Sequence, residues 1–296
     1  MTMRRSLTLV VGAVAAALAV AGCGKEGSPS GGGSSVSVSA ATGVAVAGSP
    51  TFDRMKSRGK AVVGVKEDQP NLGFKDPTTN QYSGFDVEIA RLVAAGLGFG
   101  TDKIEYKAIP SANREQAIAN GDIDYYVGTY SITDARKQKI SFAGPYFIAG
   151  QDLLVRKDDT AITGPDSLAG KKVCSATGST SIQRIRDKYK KAQTVEFEKY
   201  SQCVEQLLSK QVDAVTTDDA ILKGYAAQQP DKLKVVGKPF SEEKYGVGLP
   251  KDDKALRDKV NDLLAASASS GEWKKIYDAT LGKSGSPAEP PALERY

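Results

Sequence analysis

The stretch GTYSITDARKQKISFAGPY, residues 128–146, sets small hydroxyl residues, one arginine and a Gly-Pro turn between two strand-like runs. Upstream, IDYYVGTY at 123–130 is rich in β-formers and runs into Ser131, Thr133 and Asp134, residues that favour turns and helix N-caps. Arg136 therefore stands just past a strand end. In open α/β sheets ligands sit beyond the carboxyl ends of strands, and a guanidinium there holds a carboxylate through two parallel hydrogen bonds. On these residues alone the commoner reading of Arg136 is a solvated member of the basic run Arg136, Lys137, Lys139.

Working outward, strands and helices alternate. KAVVGVK at 60–66 reads as a buried strand, and FDVEIARLVAAGLG at 85–98 as an amphipathic helix with Ile89, Leu92 and Val93 inward. Strand KIEYKAI and helix SANREQAIANG lead into the opening stretch. Beyond it, 165–189 reads as a short helix, a strand and a helix starting near Gly178; TVEFE, YSQCVEQLLSKQ and VDAVTTDDAILKGYAAQ then give strand, helix, strand and helix. Such alternation implies parallel βαβ units. Two last helices are expected over 253–268 and 272–281, and the Pro/Ser-rich residues 284–296 are expected to be disordered.

The 296 residues are 40% hydrophobic and 25% charged, enough for two ordinary domains. The net charge of +5, two units of it from Arg4 and Arg5, is too mild and dispersed for nucleic acid. No histidine occurs, which excludes Ser-His-Asp and Cys-His catalysis and the usual His-bearing metal sites. No cofactor is expected. Residues 1–22 have the form of a secretory signal: a positive start, an apolar run over 7–21 and small residues before Cys23. The Gly-, Ser- and Ala-rich residues 23–51 read as a flexible tether.

The order T-x-S-x-T-x-x-R followed by F-x-x-P-Y, together with YSGFDVEIA at 82–90 and KYGVGLP at 244–250, resembles the family 3 solute-binding proteins, the polar amino-acid receptors of ABC importers. The resemblance spans residues 52–281. It implies a type II periplasmic-binding-protein fold: two α/β lobes, each a mostly parallel sheet flanked by helices, joined by two crossover strands. Lobe 1 would take 52–149 and 242–283, and lobe 2 would take 150–241. VAGC at 20–23 resembles a bacterial lipobox, with Cys23 the lipidated first residue on the extracellular face of the membrane.

The resemblance also assigns roles. Ser131, Arg136, Thr177 and Thr180 fall where the family binds an α-carboxylate, and Asp218 where it keeps an acid for the α-ammonium; the adjacent Asp219 is the alternative. Without the resemblance, the Thr177–Thr180 turn and Asp218 read as helix caps. Lys66 and Arg114 add two cations that a zwitterion does not require, and basic residues at these places take a side-chain carboxylate in acidic amino-acid receptors. VKEDQPNLGF and VGTYSITDARK resemble glutamate receptors of Gram-positive bacteria, so the expected ligand is glutamate, then aspartate, then glutamine or asparagine. The expected partners are an ABC permease and ATPase. A dehydratase of the same fold, with Glu67 or Asp68 as its acid, and an extracellular sensor or adhesin are the competing classes. Cys174 and Cys203 are left over after Cys23, and an exported location permits them to pair.

Overall fold

The computed structural model describes residues 39–284 and 288–296; the expected leader, Cys23 and the first part of the tether lie outside the described residues. Lobe 1 opens with helix α1 (Pro50–Arg58), strand β1 (Ala61–Val65), and a small antiparallel sheet of β2 (Asp68–Gln69), β3 (Gly73–Lys75) and β4 (Tyr82–Ser83). It continues through α2 (Phe85–Gly96), β5 (Ile104–Ala108), α3 (Arg114–Ala119), β6 (Tyr125–Tyr126), α4 (Asp134–Lys137) and β7 (Ser141–Ala149). Lobe 2 holds β8 (Gln151–Arg156), β9 (Lys172–Ala176), α5 (Thr180–Lys188), β10 (Gln193–Phe197), α6 (Tyr200–Leu208), β11 (Ala214–Asp218), α7 (Asp219–Gln228) and β12 (Leu233–Val235). The chain then returns as β13 (Glu243–Leu249) and ends in α8 (Lys254–Ser269) and α9 (Glu272–Ala279).

The two large sheets share one plan. Their orders are β5-β1-β6-β13-β7 and β10-β9-β11-β8-β12; the first two pairings of each are parallel and the last two antiparallel, so only the fourth strand runs against the rest. In each, the first parallel strand is flanked by the next two, so the strand order reverses there and a crevice opens beyond its carboxyl end. The lobes are joined at residue 150, between β7 and β8, and again between β12 and β13. Gly150 is required at the first passage, because a Cβ there would lie 2.7 Å from the Pro239 Cβ and 2.8 Å from the Ser241 carbonyl oxygen on the second.

Local chemistry accounts for these elements. All five residues of β1 are buried, and Gly64 within it leaves room for Ile123 and Tyr126. Helix α2 turns ten of its residues inward, and its Phe85 ring packs edge-on against Phe147, Trp273 and Tyr277, tying α2 to β7 and α9. The Trp273 indole N–H donates to the Tyr146 carbonyl at 2.8 Å. Cys174 of β9 and Cys203 of α6 form a disulfide with Cα atoms 5.5 Å apart.

Three features depart from the expectations. The long strand anticipated over 123–130 pairs only at Tyr125–Tyr126. Past it Thr129 adopts a φ of 46° and donates its N–H to buried Asp86, which leaves the ladder. Part of the expected tether is packed: Val46 and Ser49 are buried, Ser49 caps α1, and its hydroxyl donates to Asp253 at the start of α8. Residues 288–296, anticipated as disordered, lie along the edge strand β7. There the Glu294 N–H donates to the Gly144 carbonyl, and the Tyr296 hydroxyl accepts from the Phe142 N–H.

Tyr296 also lies under two cations, Lys137 at 4.8 Å and Arg257 at 4.4 Å from its ring centre. Exposed cation–π contacts contribute about 0.5–1 kcal/mol each and a hydrogen bond about 1 kcal/mol. Tyr296→Ala is therefore expected to lower the Tm by roughly 3–8 °C. A variant melting with the wild type would show that the terminal segment adds nothing to lobe 1.

Candidate functional site

The carboxyl ends of the parallel strands from both lobes converge on one cleft, and most of the anticipated residues follow directly from them. Lys66 comes just after β1 and is 5% exposed; its Nζ donates to the Ser111 Oγ at 2.8 Å. Burial, then the nearby Arg114 guanidinium, lowers its pKa to about 7, against a weaker opposing pull from Asp68. Arg114 opens α3 and is 2% exposed. Its Nε donates to the Ser111 carbonyl at 3.1 Å and its Nη1 to the Thr129 carbonyl at 3.4 Å. Ser111 thus holds both cations.

Arg136 reaches the same place from α4, whose start is capped by the Thr133 hydroxyl accepting from the Arg136 N–H. Its Nη1 donates to the Ser131 carbonyl at 2.7 Å, and its Nε lies 3.4 Å from Glu115. Burial, and next the charge of Arg114, brings its pKa down to about 10. A guanidinium carries five N–H groups, so these contacts leave some free for an anion.

Lobe 2 supplies the facing side. Asp218 ends β11 and is buried; its Oδ2 accepts from the Tyr245 hydroxyl at 2.6 Å, while its Oδ1 has no hydrogen-bond donor among the described residues. Burial, then the charge of Glu243, raises its pKa to about 7. Asp219 turns elsewhere: it accepts from the Gly150 N–H at 3.2 Å and from Lys223 at 2.6 Å. Of the pair, Asp218 is the carboxylate in the cleft.

The turn before α5 meets lobe 1 by a different route from the one expected. Thr177 is exposed and its N–H is engaged by the Phe197 carbonyl. Its neighbour Gly178 makes the approach instead, its carbonyl accepting from Arg136 Nη2 at 3.1 Å, and a Cβ there would lie 2.7 Å from the Ala112 Cα. The Thr180 hydroxyl lies 3.5 Å from that of Ser131 and donates to Glu243 at 2.9 Å. Lys66, Arg114, Ser131, Arg136, Thr180 and Asp218 thus gather at the cleft, and Thr177 does not.

Sequence reasoning passed over Ser111, Tyr130, Glu243 and Tyr245. Glu243 lies at the lobe junction and accepts from both Thr180 and Arg184; nothing in its neighbourhood on the return strand marks it. Glu67 and Asp68 are engaged at the cleft rim. Glu67 pairs with Lys199 at 2.6 Å, and Asp68 accepts from the Ser201 N–H at 3.1 Å and from the Tyr225 hydroxyl. The two lobes are therefore in direct contact on the Lys66 side, around a recess of about 110 Å³.

Chemically the cleft offers guanidinium N–H groups and a serine hydroxyl for a carboxylate, an unengaged carboxylate oxygen for a cation, and a buried amine for a second anion. The profile of the bacterial extracellular solute-binding proteins, family 3, matches residues 61–283. A glutamate-binding protein GluB from Corynebacterium efficiens is 39% identical over 76% of this chain and 80% of its own length. A glutamine-binding protein from Geobacillus stearothermophilus is 39% identical over 84% of this chain and 93% of its own. An ancestral arginine-binding protein, solved bound to arginine, superposes with a TM-score of 0.70 at 35% identity, covering 75% of this chain and 97% of that one.

The two shifted groups make a pH signature. Asp218 is raised from 3.8 to about 7, so the stability gained from holding its proton is complete below its unfolded value and lost as pH rises through about 7. Lys66 is lowered from 10.5 to about 7, so the stability gained from its neutral form is complete above its unfolded value and lost as pH falls through about 7. Their joint contribution to the free protein has a minimum near neutrality. Thermal unfolding should show Asp218→Asn gaining on the wild type as pH rises from about 4 to 7, and Lys66→Gln gaining as pH falls from about 10 to 7. Asp86, pushed up to about 6 by burial and drawn down in part by Lys66, cancels in the Asp218→Asn comparison and titrates below the pH range of the Lys66→Gln one. A difference that does not change with pH would mean that the group keeps its ordinary pKa.

Proposed function

Because the chain belongs to the bacterial extracellular solute-binding proteins, family 3, we propose that it captures L-glutamate outside the cell and delivers it to the permease and ATPase of an ABC importer. One observation carries the choice of ligand: Lys66 and Arg114, both buried, share Ser111 beside a cleft that already holds Arg136. In this reading Arg136 and Ser131 take the α-carboxylate, the free Oδ1 of Asp218 takes the α-ammonium, and Lys66 with Arg114 takes the side-chain carboxylate. Cleft cations without a matching anion are expensive, and glutamate brings the extra negative charge that glutamine lacks. Aspartate is one methylene short, so a contact must lengthen or admit water.

Glutamine is the second reading, favoured by the low pKa of Lys66. A neutral amine accepts a hydrogen bond from an amide N–H, which an ammonium cannot do. A dehydratase finds less support, since Glu67 and Asp68 are taken up by Lys199, Ser201 and Tyr225. Ligand held between Arg136 of lobe 1 and Asp218 of lobe 2 would favour this shut arrangement of the lobes over one opened about the passages at Gly150 and 239–242.

Calorimetry of the purified protein against L-glutamate, L-aspartate and L-glutamine tests the ligand. Glutamate should bind most tightly, and Lys66→Gln should narrow its lead over glutamine without abolishing binding. Arg136→Ala should weaken binding by roughly 30-fold to several-thousand-fold, the effect of stranding one partner of a buried charge pair. Equal or tighter glutamine binding by the wild type would refute the glutamate assignment.

The same reading places the receptor on the membrane through a lipid on Cys23, after cleavage of residues 1–22. Support comes from Arg4, Arg5, the apolar run over 7–21 and the small residues before the cysteine. Cys23→Ser should release the protein into the medium or leave it unprocessed. Unchanged membrane retention and processing would remove the anchor from the account.

A further inference from the structure

Arg114 and Arg136 are like charges in one desolvated site, and they are not equally compensated. Arg136 has Glu115 at 3.4 Å. Among the described residues no carboxylate pairs with Arg114, which is 2% exposed and meets only the carbonyls of Ser111 and Thr129 as hydrogen-bond acceptors. An unpaired guanidinium with so little access to water needs another source of negative potential.

The Tyr130 ring supplies one. It is fully buried, with the Arg114 guanidinium carbon 4.1 Å and that of Arg136 4.9 Å from its centre. Its position is fixed by neighbours: Tyr126 and Phe142 pack at 5.3 and 4.9 Å in T-shaped contacts, and the Tyr130 carbonyl accepts from the Gly246 N–H. Gly248 makes the seat, since a Cβ there would fall 3.0 Å from two ring carbons.

We propose that Tyr130 is a positioning residue whose aromatic face holds Arg114 and Arg136 together in the cleft, so that the strength of carboxylate binding depends on this ring. The electron-rich face attracts both guanidiniums and offsets part of their repulsion, which an aliphatic side chain of similar bulk cannot do. The ring acts on ligand only through the two arginines. The attraction comes from the ring and not from its hydroxyl, so phenylalanine should serve as well.

This inference rests on the reading of the cleft as an amino-acid site, and its test separates the two. Wild type is first titrated with L-glutamate and L-glutamine; whichever binds more tightly is used for the variants, so a wrong ligand assignment leaves the Tyr130 test intact. Tyr130→Phe should bind within about twofold of wild type, and Tyr130→Leu should lose roughly tenfold or more while its circular dichroism is unchanged. Folded Tyr130→Leu binding like wild type would overturn the proposal. So would Tyr130→Phe losing as much as Tyr130→Leu. Should the leucine variant fail to fold, the wild type decides alone: the side-chain Nε–H proton resonances of Arg114 and Arg136, assigned through Arg→Lys variants, should lie upfield from the ring current. Ordinary shifts for both would sink the idea.

Discussion

Bringing Lys66, Arg114 and Arg136 out of water into one crevice is the act that the rest of this cleft answers. Each cation loses hydration that neighbouring carbonyls and one hydroxyl only partly replace, and each feels the others. The responses differ with chemistry. Lysine can shed its proton, and its pKa falls to about 7; an arginine side chain does not do so near neutrality, and Arg136 is met instead by Glu115 and both arginines by the Tyr130 ring. Asp218 has the opposite difficulty, a carboxylate with one oxygen unsatisfied and Glu243 nearby. The cleft's own charges are thus mismatched, and in the proposed reading a ligand carrying carboxylate and ammonium groups at the right separation corrects both faults at once.

The scaffold makes that juxtaposition possible by repeating one topology. In both sheets the first parallel strand lies between the next two, so each lobe presents strand ends and helix starts to the same crevice. The long antiparallel pairing of β7 with β13 holds the two passages side by side. Tyr245 on β13 reaches Asp218 on β11, linking the return strand to the floor of lobe 2.

The alternation of strands and helices was legible in sequence because it rests on local signals, whereas the two-lobed plan and the role of Arg136 came with the family resemblance carried by the hydroxyl-rich run and the Gly-Pro before Tyr146. What was not legible depends on long-range approach. Asp218 and Asp219 are adjacent at a strand-to-helix junction, where successive side chains diverge, so composition could not choose between them. Tyr130 looked like one more β-forming aromatic; its role needs Arg114 and Arg136 folded onto it. Thr177 seemed as well placed as Thr180, yet its N–H continues the alignment beside β10 and the glycine after it makes the crossing contact. The terminal segment misled for a related reason. A stretch poor in apolar residues builds no core of its own, but it can settle on an edge built by others, as residues 288–296 do on β7.

The rim contacts carry a consequence of a different kind. Glu67 with Lys199, and Asp68 with Ser201 and Tyr225, join the lobes through groups other than the cations and the carboxylate gathered for ligand. Parting the lobes would break these contacts, so they favour the shut arrangement whatever solute is held. Weakening them would scale the affinity for every solute by one common factor, whereas changing Lys66 or Asp218 alters the ratio between solutes. In the proposed reading, then, the strength of capture and the choice of solute rest on separate residues.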